Sequence, residues 1–95
     1  MKPKLYSLRI PDEIATLIRG MHPELKSKIK SGLKAILEEP HSGKLLRIEL
    51  AGLRSFRVSR FRIIYRVVKK EVEIVTVGPR IQIYEETYKL LQKKI

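Results

Sequence analysis

The chain has 95 residues, of which 43% are hydrophobic and 33% charged, with a formal net charge of +11 and a pI near 10.2. That length fits one domain, residues 1–95, with a modest core and no room for large internal cavities. The sequence contains no cysteine, which excludes disulfides, thiolate chemistry and cysteine-based metal sites.

So strong a positive charge on so short a chain gives salt-sensitive attraction to polyanions. No run approaches the roughly 20 apolar residues that span a bilayer, and MKPKLYSLRIPDE lacks the apolar stretch of a signal peptide. The expectation is a cytoplasmic protein with no membrane partner. No internal repeat or low-complexity segment interrupts it.

Lys4–Ile10 reads as a short first strand, stopped by Pro11. Asp12 and Glu13 suit a first helical turn, and Ile14, Leu17, Ile18 and Met21 follow the spacing of one helical face. Gly20 and Pro23 bracket a break. A longer helix then turns Leu25, Ile29, Leu33, Ile36 and Leu37 inward and Lys26, Lys30 and Lys34 outward. The lysines read most simply as its solvated face. The two helices are expected to form a hairpin across one face of a sheet.

Glu39-Pro40-His41-Ser42-Gly43 is a turn by composition. Leu45–Leu50, Leu53–Arg60, Phe61–Lys69 and Val72–Val77 read as strands, with turns at Ala51-Gly52, Ser59-Arg60 and Lys69-Lys70-Glu71. Connections this short imply antiparallel pairing. After Gly78-Pro79 comes a last helix from Ile83 to Ile95, with Tyr84, Tyr88, Leu91 and Ile95 at helical spacing. Its acids Glu85 and Glu86 and its terminal Lys93 and Lys94 suit the helix dipole. The order β-α-α-β-β-β-β-α defines an α+β domain with helices packed on a small twisted antiparallel sheet.

The chemistry concentrates in Leu53–Val67, LRSFRVSRFRIIYRV, where Arg54, Arg57, Arg60, Arg62 and Arg66 alternate with β-branched and aromatic residues. From Lys44 to Arg66 there are seven basic residues against the single acid Glu49. Guanidinium groups are planar, permanently charged and fork-shaped, so a row held on a sheet suits phosphate oxygens. The implied partner is nucleic acid.

The pieces KLLRIELAGLRSFRV, FRIIYRV and VGPRIQIY, in this order, resemble the RelE/ParE superfamily of toxins from type II toxin–antitoxin pairs. The matching core runs from Lys44 to Tyr84. Ile48 and Ser59 stand where the family pattern has glycine, and Arg54 and Ser55 stand where ribonuclease members often carry lysines. Those departures bear on backbone shape and on proton-transfer roles respectively.

The resemblance implies a metal-independent, ribosome-dependent mRNA endoribonuclease that inhibits translation and needs no cofactor. A ribose 2′-hydroxyl would attack the adjacent phosphorus while guanidiniums stabilise the charge that develops, and the ribosome would hold the message in line. By matched position Arg57, Arg62, Arg80 and Tyr84 are the catalytic candidates. Lys44, Arg47, Arg54 and Arg60 are the candidates for holding RNA backbone. A cognate antitoxin is the second implied partner. Each residue also has a structural alternative: Arg57 as a partner of Glu49, Arg62 as a solvated strand residue, Tyr84 as a core anchor. Tyr65 reads as core, and His41 reads as a turn residue more than a general base.

Two other functions stay open at this level. A ParE-type inhibitor of DNA gyrase without nuclease activity has the same strand pattern. A basic nucleic-acid-binding module without chemistry is the third.

Overall fold

The computed structural model describes residues 5–80 and 82–93. The elements are β1 (Ser7–Arg9), α1 (Asp12–Arg19), α2 (Pro23–Glu38), β2 (Lys44–Leu45), a 3-10 turn (Ile48–Leu50), β3 (Arg54–Val58), β4 (Phe61–Val68), β5 (Glu71–Pro79) and α3 (Ile83–Lys93). The strands form one sheet in the order β1-β5-β4-β3-β2. The α+β architecture expected from the sequence is therefore present.

Local chemistry accounts for the helix boundaries. Pro11 ends β1, and its carbonyl accepts from the N–H groups of Ile14 and Ala15 to start α1. At the head of α2, Pro23 occupies the first helical turn, and the His22 ring accepts at Nδ1 from the Glu24 N–H at 3.2 Å. A proline there forfeits no helical bond, and a capping acceptor satisfies one of the free donors. His22 is thus a helix cap.

Three features differ from the sequence expectation. Leu45–Leu50 is not one strand: only Lys44 and Leu45 pair, with Ser55 and Arg54. Ile48 then takes φ +57, which breaks the extended path and starts the 3-10 turn. Second, β1 runs parallel to β5, because the α1–α2 hairpin carries the chain back across the sheet before β2. Third, α3 buries Ile83 and Thr87 rather than a stripe through Tyr88, which is 41% exposed. The expected contribution of Ile95 lies outside the described residues, as does Lys4 at the start of the first strand.

Register assigns every strand side chain to a face, since directly opposed antiparallel residues point the same way. Phe56↔Ile63, Arg54↔Tyr65 and Val58↔Phe61 face the helical hairpin. There Ile63, Tyr65, Val72, Ile74 and Val77 pack against Ile14 and Ile18 of α1 and Ile29, Leu33 and Ile36 of α2. Tyr65 fixes the connection between α2 and β2. Its buried hydroxyl donates to the Pro40 carbonyl at 2.7 Å and accepts from the Gly43 N–H at 2.9 Å. A Cβ on Gly43 would stand 2.4 Å from that hydroxyl, so only glycine allows the approach. Burial pushes the Tyr65 phenol above its ordinary range, an effect partly opposed by the Gly43 hydrogen bond and the nearby Arg54 charge.

The opposite face carries a smaller core of Leu53, Ile64 and Ile83, with Leu46, Leu50, Val75, Tyr84 and Leu91 around it. Gly78 sets the seat of α3: a Cβ there would meet Ile83 Cδ1 at 2.7 Å. This second face holds Arg57 and Arg62.

Candidate active site

Arg57 of β3 lies directly opposite Arg62 of β4, so both side chains project on the α3 face. Gly78 is the partner of Arg62 on its other side, and Ile83 of α3 fills the place its side chain would take. One step along the sheet, Lys44, Ser55, Ile64 and Thr76 form the next cross-strand row of the same face. Lys44 therefore joins this surface at the sheet edge.

A short hydrogen-bonded chain organises the centre. Arg62 donates from Nη1 to Ser55 Oγ at 3.1 Å, and the Tyr84 hydroxyl donates to the same oxygen at 3.2 Å. Ser55 is only 2% exposed, so its hydroxyl is a fixed post between the guanidinium and the phenol. Arg62 Nε is buried and has no hydrogen-bond partner among the described residues. Arg57 is exposed, with Nε donating to the Ser59 carbonyl at 3.3 Å. The ion pairs of the described residues are Arg9–Glu73, Arg66–Glu73 and Lys89–Glu85. Neither Arg57 nor Arg62 is among them, and Glu49 does not pair with Arg57.

The other sequence candidates fall in three places. Arg80 follows Pro79 at the end of β5, and its N–H donates to the Arg60 carbonyl at 2.8 Å. This ties the backbone of Arg80 to the β3–β4 turn that links Arg57 and Arg62. Arg47 is exposed just before the 3-10 turn. Arg54 stands apart from the cluster. It shares the hairpin face with Tyr65, and its Nη1 donates to the carbonyls of His41 at 3.0 Å and Gly43 at 2.9 Å. Arg54 therefore braces the turn after α2 instead of facing the arginine pair.

Two residues of this face were not singled out for it in the sequence. Ser55 is one; its place beside Arg57 in an alternating strand was visible, but its link to Tyr84 spans 29 positions. Glu86 is the other. Its Oε2 lies 3.6 Å from where a Cβ on Gly78 would stand, which brings a carboxylate over the cross-strand partner of Arg62. Among the described residues no three His, Cys, Asp or Glu side chains gather in a group able to hold a metal ion.

An open sheet of this order, with a helical hairpin on one face and an arginine-bearing face under a terminal helix, is the fold of RelE-like toxins. The structure superposes on the RelBE2 toxin–antitoxin complex of Mycobacterium tuberculosis with a TM-score of 0.70 and 28% identity, covering 79% of this chain and 98% of that one. It superposes on an arginine-substituted mutant of the E. coli toxin RelE in the free state with a TM-score of 0.73 and 23% identity, over 96% and 98% of the two chains. YafQ from E. coli gives 0.65 and 13%, over 83% and 98%. No curated protein matches the sequence. Residues 8–84 match the family model of the ParE toxin of the type II toxin–antitoxin system parDE, and the chain belongs to that toxin family.

Proposed function

We propose that this toxin is a ribosome-dependent, metal-independent mRNA endoribonuclease that arrests translation and is neutralised by a cognate antitoxin. The observation that carries this reading is the opposed pair Arg57–Arg62. Like charges directly across a ladder destabilise a sheet. A buried donor without a partner, as at Arg62 Nε, costs on the order of 1–3 kcal/mol and more for a charged group. A site that retains both has a use for an anion, and a phosphodiester supplies one.

In this reading the guanidiniums of Arg57 and Arg62 meet the non-bridging oxygens, and Arg80 adds a further cation from the end of β5. The 2′-oxygen forms its bond to phosphorus as the bond to the 5′-oxygen breaks. Glu86 is the carboxylate suited to take the 2′-hydroxyl proton, since an ionised carboxylate only accepts. The 5′-oxygen takes a proton from water, leaving a cyclic phosphate and a 5′-hydroxyl. Ser55 and Tyr84 hold Arg62 in place, and the Tyr84 ring offers a surface for a base. The similar RelBE2 and RelBE toxin–antitoxin complexes support an antitoxin partner here.

The second reading, inhibition of DNA gyrase, is favoured by the ParE name of the matching family model. Brief induction in cells separates the two. Primer extension on cellular transcripts shows new 5′-hydroxyl ends under the nuclease reading, absent with Arg62→Ala. Filamentation and DNA damage with intact messages would establish the gyrase reading instead.

A further inference from the structure

Two surface grooves on α2 run into one another. The first, about 460 Å³, is lined by Pro23, Lys26, Ser27, Lys30, Ser31 and Lys34. The second, about 630 Å³, starts from the same Ser27 and Ser31 and passes the edge of β3 to reach Arg57 and Ser59. That edge is open because β2 pairs only with Arg54 and Ser55, leaving Phe56–Val58 uncovered on that side among the described residues. Gly32 keeps the passage low: a Cβ there would already collide with Val58 Cγ2 at 2.7 Å. The lysine row on the hairpin side is thus connected by one continuous depression to an arginine of the candidate site on the other face.

The chemistry of the row selects its occupant. Lys26, Lys30 and Lys34 repeat every fourth residue, a pitch of about 6 Å along a helix, close to the separation of successive phosphates in an extended strand. The hydroxyls of Ser27 and Ser31 lie between them as further donors. None of the three lysines forms an ion pair among the described residues. An acidic helix bound here would need apolar anchors as well as charge, and no large exposed apolar side chain lies on α2. Phe56 lines the connecting groove and offers a ring against which a base can stack.

We propose that α2 and the open edge of β3 form a track for single-stranded RNA, which leaves the arginine face, rounds β3 and lays its phosphates along Lys26, Lys30 and Lys34. The proposal rests on the RNA reading of the arginine site and extends it to a longer footprint.

Fluorescence anisotropy with a labelled tetranucleotide and a labelled dodecanucleotide, each titrated at several salt concentrations, tests it. The variant Lys26→Gln/Lys30→Gln/Lys34→Gln keeps the helical circular dichroism, because Lys30 and Lys34 are exposed and glutamine retains much of the aliphatic stem of the half-buried Lys26. It binds the tetranucleotide as wild type does. Its slope of log affinity against log salt for the dodecanucleotide falls by about 2, at roughly 0.7 for each phosphate no longer neutralised. Charge reversal by Lys30→Glu weakens the long RNA further and leaves the short one unchanged. An unaltered dodecanucleotide affinity and slope in both variants would overturn the track. So would an acidic polypeptide that displaces the long RNA as effectively as unlabelled RNA of equal charge, since the row would then be a protein-binding surface. Failure of the underlying reading is seen elsewhere: Arg57→Ala/Arg62→Ala would leave tetranucleotide binding intact.

Discussion

Arg62 Nη1 donates to Ser55 Oγ at 3.1 Å, and that same oxygen accepts from Tyr84. Three elements, β4, β3 and α3, therefore meet at one buried hydroxyl. A guanidinium on a bare strand would sample several rotamers. Anchored to a serine that is itself buried, it loses little further entropy when an anion arrives.

Replacing Ser55 by alanine removes the acceptor for both donors while leaving a small side chain that the sheet accommodates. Stability is expected to fall by about 1–3 kcal/mol, because two donors lose a buried partner. RNA cleavage is expected to fall about tenfold or more for the same reason. Thermal melts and cleavage assays on ribosomes programmed with a defined message check both, and an unchanged rate would remove Ser55 from the positioning chain.

Truncating Arg57 separates stability from activity. Arg57→Gln relieves the like-charge opposition with Arg62, so the melting temperature is expected to stay level or rise slightly. Cleavage is expected to drop about 10²–10³-fold, as for loss of one preorganised donor at a developing oxyanion. A variant that cleaves at the wild-type rate would show that Arg57 is only a surface residue.

Ile48 and Ser59 adopt φ of +57 and +55. A β-branched residue in that region is strained by roughly 1–2 kcal/mol, and Ile48 is 81% exposed, so its side chain recovers little by packing. Ile48→Gly is expected to stabilise by about 1 kcal/mol, and Ser59→Gly by less, net of glycine's greater unfolded-state entropy. Chemical denaturation measures this, and a destabilised Ile48→Gly would mean that the isoleucine packs in solution well enough to offset the strain.

Tyr65 makes the fold sensitive to alkali. Its phenol holds its proton more tightly in the folded state, because burial disfavours the phenolate. The unfolded chain then releases a proton first as pH rises past about 10. The associated stability is complete below that pH and is lost as pH climbs through the folded value. Tyr65→Phe is expected to lower stability by about 1–3 kcal/mol near neutrality, since the Gly43 N–H loses its acceptor. It is also expected to flatten the alkaline decline, and denaturation midpoints across the alkaline range test both effects.

Much of the fold was legible because it is written in short-range patterns. The Leu25–Leu37 apolar repeat predicted α2, and the alternating Phe61–Lys69 run predicted β4. The helix holds because one face is buried, and the strand because Ile63 and Tyr65 enter one core and Ile64 the other. The family pattern also marked Ile48 and Ser59 as places where glycine is usual, and these are two of the three non-glycine residues with positive φ among the described residues. The strand expected over Leu45–Leu50 failed at Ile48, where the backbone turn overrides a β-branched propensity. Of the stripe expected on α3, Tyr84 and Leu91 do pack on the second core, but Tyr88 is exposed and Ile83 and Thr87 are buried instead, because the seat at Gly78 sets the helix's phase and no periodicity within the helix reveals it.

The row of arginines, the excess of positive charge and the absence of cysteine were properties of the chain alone, because composition and alternation survive without knowledge of contacts. Which arginines share a face was not. Strand register placed Arg57 opposite Arg62 and sent Arg54 to the hairpin side, and packing of α3 delivered Tyr84 and Glu86 to the same surface. The α3 contacts join residues far apart in sequence, the Arg57–Arg62 pairing hangs on which residues form the β3–β4 turn, and only the folded sheet and its helices select both.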